Sequence, residues 1–336
     1  MLLDEEALGR RQFGWLPLFD PTQGQTVVEP TGAGRGYWVG APSVCYDDRT
    51  RRFYLYYRLR EPRPVRGKEC HILAGEDGVS FRPVWSASQE EIGTTSMERS
   101  CLFRTPAGGW RLYLSYVHPD DSRWRIDLLE ADSVESLDVR ARRTILTADD
   151  CGAEGVKDPW VAMVGPLYYM LASFATKPGA ISQERRSRLH ATGDAYNTGL
   201  TKSSTGLALS EDGLNWRWQG EVFAPSANGW DSWAARLGTL VYVPPVWLGF
   251  YDGAAGVAEN YEERCGLAVS TDLRHFQRIS LSGPALLSPH ASGSIRYVDG
   301  IYARGAYWFY YEFARADGSH ELRMSEVRQN LFYRTL

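Results

Sequence analysis

The stretch GVKDPWVAMVGPLYYMLAS, residues 155–173, decides the fold. Two strand-length runs, DPWVAM (158–163) and LYYMLAS (167–173), flank a short turn containing Gly-Pro. Aromatic and aliphatic residues on both sides of a tight turn specify an antiparallel pair. A lysine and an aspartate stand at the mouth of the first strand, and Pro159 is tolerated there because a strand's opening residues need not donate to the ladder.

The same unit recurs on both sides. APSVCY (41–46) and FYLYYR (53–58) form one copy, and RSCLFR (99–104) with WRLYLSY (110–116) forms another. After the quoted stretch come ARLGTLVYV (235–243) with VWLGFYDG (246–253), and GSIRYV (293–298) with AYWFYYEF (306–313). A third strand follows most copies: HILAGEDGVSF (71–81), TGLALSEDGLNW (205–216) and CGLAVSTDLRHF (265–276) share a small-apolar alternation, an acidic turn and an aromatic. Their Asp-Gly pairs are turn chemistry. Ser43, Cys101 and Trp160 recur at just under sixty residues, and no long run has helical spacing. Five such units read as one all-β domain, a five-bladed β-propeller with antiparallel blades around a central channel. The expected blades are 37–90, 95–145, 150–222, 228–282 and 290–336. A polar, basic insertion at 176–203 falls between the second and third strands of blade three, as a lid, a subunit contact or a disordered loop.

Composition narrows the function. The chain has 336 residues, 43% apolar and 13% aromatic, with a formal charge of −4. That balance argues against a nucleic-acid partner. No apolar run approaches the roughly 20 residues needed to cross a bilayer, so no membrane partner is expected. The acidic N-terminus MLLDEEALGRRQF lacks the features of a signal peptide. Five widely spaced cysteines without a C-x-x-C pair favour reduced thiols. The expectation is a cytoplasmic protein with a small-molecule or saccharide partner. No cofactor is implied, and no set of metal ligands can be named.

In a propeller the innermost strand of each blade lines the channel, so the residues opening those strands converge. This phase gathers Glu98, Arg99, Lys157, Asp158, Arg236 and Arg296, with Arg35 and Arg58 nearby. Cations grouped at a channel mouth suit a carboxylate or phosphate, because a guanidinium presents a planar fork of donors. Trp38 and Trp233 precede inner strands and could stack on a sugar ring or serve the core. Asp231, in GWDSW, is a third acid. His290, in SPHASGS, is the histidine whose repeat phase points at the channel.

These strand pairs, with their S-x-D-G-x-x-W outer turns, resemble the five-bladed glycosidase group containing glycoside hydrolase families 43, 32 and 130, from about Trp38 onward. The resemblance implies acids opening the inner strands of blades one, two and three. Blade one carries Ala41 where the base would stand. Blade two offers Glu98, and blade three Asp158, in a KDP similar to the RDP of family 32. Asp and Glu are thus exchanged relative to family 43, and the base is missing. The expected function is a glycoside hydrolase-like enzyme using Asp158 and Glu98 on a small sugar or sugar-like substrate in the channel, with an anionic one among the candidates. The alternatives are a repurposed non-hydrolytic enzyme (a phosphorylase, or a lyase, cyclase or isomerase on a small metabolite) and a non-catalytic carbohydrate-binding propeller. Family 130 phosphorylases use phosphate held by basic residues in place of a carboxylate base, which suits the loss at Ala41.

Overall fold

A computed structural model describes residues 16–328. A short N-terminal strand, β1 (Gln25–Val28), precedes the repeats. Blade one contains β2 (Trp38–Asp47), β3 (Arg52–Glu61), β4 (Arg66–Gly75) and β5 (Arg82–Ser88). Blade two contains β6 (Cys101–Arg104), β7 (Trp110–Val117), β8 (Trp124–Ala131) and β9 (Arg143–Leu146). Blade three contains β10 (Gly155–Val164), β11 (Leu167–Ala175), β12 (Ser203–Ser210) and β13 (Arg217–Phe223). Blade four contains β14 (Ala234–Val243), β15 (Val246–Ala254), β16 (Arg264–Ser270) and β17 (Gln277–Arg278). Blade five contains β18 (Ile295–Ala303), β19 (Ala306–Ala314) and β20 (His320–Arg328). Within each blade, consecutive strands pair antiparallel. The inner strands pack one on the next from β2 through β6, β10, β14 and β18, and β18 returns to β2. This closed ring is the expected propeller.

Blade five differs from its expected extent. Its fourth strand is β1, paired antiparallel with β20 so that Gln25 lies opposite Met324. The N-terminal segment therefore clasps the last blade and closes the ring with both ends of the described chain. Phe19 adds to the clasp, stacking on Phe309 and Tyr311 at 4.9 and 5.0 Å between centroids. Residues 329–336, the end of the expected blade five, lie outside the described residues.

The core consists of apolar layers between adjacent blades. Tyr56, Ile72, Leu112 and Leu129 fill the space between blades one and two. Equivalent clusters fill each following interface, ending with Val39, Leu55, Tyr310 and Leu322 between blades five and one. Four of the five cysteines are buried and all are free thiols. Among the described residues no helix is long and apolar enough to cross a membrane.

One irregularity of the inner strands matters for the site. β2, β10 and β18 each carry an extra residue relative to their partner, after Gly40, Lys157 and Arg296. In all three, the next residue adopts left-handed backbone: Ala41 at φ 53°, Asp158 at φ 55° and Tyr297 at φ 53°. Such conformations are costly for non-glycine residues, and bulges of this kind re-aim a side chain. The neighbouring blade captures amides near these breaks. Asp158 N donates to Ser115 Oγ at 3.3 Å, and Tyr297 N to both Asp252 oxygens at 3.0 and 3.2 Å. In blade four, Leu237 N donates to Thr205 Oγ1 at 2.8 Å.

Candidate active site in the central channel

The repeat places corresponding residues in a ring. Gly40, Glu98, Lys157, Arg236 and Arg296 occupy one level of the inner strands. Opposite four of them on the second strands stand Arg58, Ser173, Asp252 and Glu312. All eight charged or hydroxyl-bearing side chains at this level are buried. A glycine is needed in blade one because a Cβ at position 40 would lie 2.4 Å from a Glu312 carboxylate oxygen. The long Arg58 side chain thus reaches the channel from the second strand, in the blade that lacks an acid.

Glu98 is clamped by blade one. Arg58 Nη2 lies 3.0 Å from its Oε2, Arg60 Nη1 donates to its Oε1 at 3.0 Å, and Tyr297 Oη donates to Oε2 at 3.3 Å. Burial pushes this carboxyl up, but Arg58, Lys157 and Arg60 together hold it well below its ordinary range. Glu98 is therefore an ionised group, not a proton donor.

Asp158 is its opposite. Lys157 Nζ stands 3.1 Å from Oδ2 as an ion-pair contact, yet neither carboxylate oxygen has a partner of hydrogen-bond geometry among the described residues. Burial raises its pKa, Lys157 opposes that, and the negative charge of Glu98 adds to the rise. The net shift is upward, toward a carboxyl that keeps its proton. Asp252, on the blade-four second strand, is also raised, to about 7, by burial and by the charge of Glu263. Its two oxygens are occupied by the Tyr297 amide.

The remaining ions interlock. Glu263 accepts from Arg236 at 2.7 Å and from Arg296 at 3.1 Å, and Glu312 accepts from Arg296 at 2.7 Å. Burial opposes ionisation of both glutamates, and their arginines overcome it, holding each at about 2. Glu312 also bonds His320 Nδ1 at 2.7 Å, and His320 stacks under Trp38 at 4.7 Å. Trp38 in turn lies against the guanidiniums of Arg296 and Arg60, at 4.8 and 5.2 Å. Buried polar atoms without a hydrogen-bond partner gather here: Arg58 Nε, Arg296 Nη2, Glu312 Oε2 and His320 Nε2, besides the Asp158 oxygens. Native interiors leave few such atoms, so they mark where a polar ligand would be received.

The insertion closes the channel. Its residues Leu189, Ala195 and Tyr196 pack on Val117 and Trp124. The Tyr196 ring covers Lys157 at 5.0 Å and Arg236 at 5.4 Å, and its hydroxyl donates to the carbonyls of Gly155 and Ser173 at 3.1 and 3.2 Å. This part of the insertion thus packs over Lys157 and Arg236 at the inner strands.

Several sequence expectations need correction. Arg99 is at the channel but spans it as a tie, donating to Asp299 at 2.8 Å, to the Pro42 carbonyl at 3.1 Å and to the Gly238 carbonyl. Asp231 is buried away from the ring, bound by Arg278 at 2.6 Å and Tyr251 at 2.9 Å within blade four, because GWDSW folds back across that blade. Trp233 is half-buried, its backbone bridging Ser203 and Ala254. His290 lies on an exposed turn with its ring edge on Phe313, since the chain reaches the channel only at Ser294–Arg296. Sequence reasoning missed Tyr297, Asp252, Glu263 and Glu312, and with them Arg60, Tyr196 and His320. Phase arithmetic could have found Tyr297, which is the blade-five counterpart of Asp158.

No family model matches the sequence, and no curated protein matches it. Solved structures do. A glycosyl hydrolase from Bacteroides ovatus superposes with a TM-score of 0.61 at 13% identity, covering 92% of this chain and 93% of the other. A GH43_1 enzyme from Xanthomonas citri gives 0.58 at 11% identity, covering 90% of each chain. A structure from the GH130 family of mannoside phosphorylases, which contains glycoside hydrolases targeting β-1,2 mannosidic linkages in Candida mannan, gives 0.60 at 13%, covering 91% and 92%. At such identities the likeness establishes the shared propeller fold, and function must be argued from the site.

Proposed function

We propose that the channel is the active site of an enzyme acting on a glycoside or sugar-like substrate, with Asp158 as the proton donor. One observation carries the reading: Asp158 is a buried carboxyl pushed toward its protonated form, held in left-handed backbone, with both oxygens free of hydrogen bonds. Breaking a glycosidic bond requires a proton for the leaving oxygen, and a carboxyl whose pKa is raised by burial is suited to supply it. The Tyr196 ring, over Lys157 and Arg236, stands at the same level of the channel. The likeness to glycoside hydrolases of the same fold supports this reading by analogy.

The substrate carries negative charge. With Asp158 and Asp252 pushed toward neutral forms, Arg58, Arg60, Lys157, Arg236 and Arg296 outweigh the three clamped glutamates. An excess of buried cations is stabilised by an anionic group on the ligand.

A second reading has its own observation. Glu98, Glu263 and Glu312 are each paired with arginines, which fixes them as counter-ions and not as bases for water. An anionic nucleophile such as inorganic phosphate would need no such base, and transfer to phosphate is the alternative chemistry. Turnover of a glycoside panel, with and without phosphate, tests both readings. Release by the wild type and a roughly 10²–10⁴-fold loss in Asp158→Asn supports the proton-donor role. Equal rates in the two proteins would remove Asp158 from the mechanism, and dependence on phosphate would select transfer over hydrolysis.

A further inference from the structure

Outside the channel mouth lies a second cavity, of about 570 Å³, within the size range of small-molecule sites. Two parts of the chain form its charged lining. Arg35 and Arg63 come from the blade-one side, and Arg185 and Arg188 from the lid's short helix Gln183–Arg188. No carboxylate lines it among the described residues. Arg35 pairs with Glu262 at 2.5 Å, Arg63 with Asp194 at 3.4 Å and Arg188 with Glu184 at 2.7 Å, yet their side chains stay 65%, 46% and 73% exposed.

The cavity floor is built. Arg63 is fixed from behind, donating to the Tyr261 hydroxyl at 2.8 Å and to the buried Asp194 at 3.4 Å. Tyr261 holds left-handed backbone at φ 94°, and its amide donates to Glu263 Oε1 at 3.0 Å. Its ring lies against Arg60 at 4.4 Å on the channel side, while the residue also lines the outer cavity. Tyr261 is thus the partition between this cavity and the buried ion network. Asn260, the next residue back, donates to Asn197 of the lid at 2.5 Å and to the Tyr196 carbonyl at 3.4 Å.

We infer that this cavity is a binding site for an anionic group, a carboxylate or phosphate on a saccharide-sized ligand, and that the bound anion pins the lid to blade one. Each paired arginine has one carboxylate partner, so the guanidinium edges left over face the cavity, and a shared anion would bridge the two segments. Arg63, preset by Asp194 and Tyr261, supplies an oriented fork, while Arg185 and Arg188 supply the side of the clamp that belongs to the insertion. The inference does not require Asp158 to be catalytic.

Calorimetric titration of the full chain with glucuronate, inorganic phosphate and glucose, alongside hydrogen exchange of residues 183–201, tests it. Either anion should bind and slow exchange in the lid, while glucose should not. Glucuronate alone would identify a carboxylated sugar as the source, and phosphate alone a phosphate group. Affinity should fall at least tenfold in Arg63→Ala and in the double variant Arg185→Ala/Arg188→Ala, and should weaken with added salt. The double variant changes only exposed side chains, so a folding defect is not expected of it. Affinity lost in the arginine variants while glycoside turnover persists places the anion in this cavity, whatever the fate of the catalytic reading. Equal binding of glucose and glucuronate, absence of binding by both anions, or unchanged affinity in both arginine variants would overturn the inference.

Discussion

Asp158 and Asp252 are both buried aspartates raised by desolvation, yet their surroundings separate their roles. Asp252 spends both oxygens on the Tyr297 amide, whereas those of Asp158 are free. Asp252 titrates near 7 in the folded protein against an ordinary 3.8, so folding strengthens its hold on a proton. Its contribution to stability is full below about pH 4 and lost as pH rises through about 7. Asp252→Asn keeps one acceptor for the Tyr297 amide and removes the titration. Urea unfolding from pH 4 to 8 should show a shallower decline for the variant, by up to about 1.4 kcal/mol per pH unit. Glu263 and Glu312 act in the other sense, stabilising above their ordinary 4.5 and losing that contribution as pH falls toward 2. At Arg58, replacement by Met leaves Glu98 and Glu312 short of a buried counter-charge. A loss of roughly 3–5 kcal/mol in chemical unfolding is expected, as for other broken buried pairs.

At the scale of elements, the lid and the bulged strands decide what the channel can do. Tyr196→Phe keeps the ring over Lys157 and Arg236 but removes the bonds to Gly155 and Ser173. The variant should lose roughly 1–2 kcal/mol and show faster hydrogen exchange across 190–201 than the wild type, with blade exchange unchanged. The lid's position in the chain was legible from its polar, basic composition. What it covers was not, because Tyr196 is one of 19 tyrosines and its neighbours Trp124 and Arg236 come from other blades. The bulges were half legible. Lys-Asp-Pro and Gly-Ala-Pro announce them in blades three and one, but Arg-Tyr-Val in blade five carries no proline, so Tyr297 passed as an ordinary strand residue.

For the whole molecule, strand pairing was readable since it depends on local alternation and turns, which repeat five times. Two global features were not. The clasp strand QTVV is four residues long and pairs with a partner nearly three hundred residues away. The ion network joins residues such as Glu98 and Tyr297, 199 positions apart. The acids on the second strands of blades four and five, Asp252 and Glu312, carry no strand-opening signal, and only ring closure brings them to the channel. The clasp has its own test: Phe19→Ala, at a half-buried aromatic packed on blade five, should cost roughly 2–3 kcal/mol, somewhat below a fully buried phenylalanine. Thermal unfolding should show a lower midpoint with the cooperative transition intact.

The central claim is that Asp158 delivers a proton to a departing sugar oxygen inside this ring. It is tested most directly by how the loss in Asp158→Asn depends on the leaving group. On a glycoside substrate the protein turns over, kcat/KM should fall by roughly 10²–10⁴-fold for an alkyl leaving group that needs protonation. For a dinitrophenyl group, which departs as a stable anion, the loss should be at least tenfold smaller. An equal loss for both leaving groups, or none for either, would contradict the account.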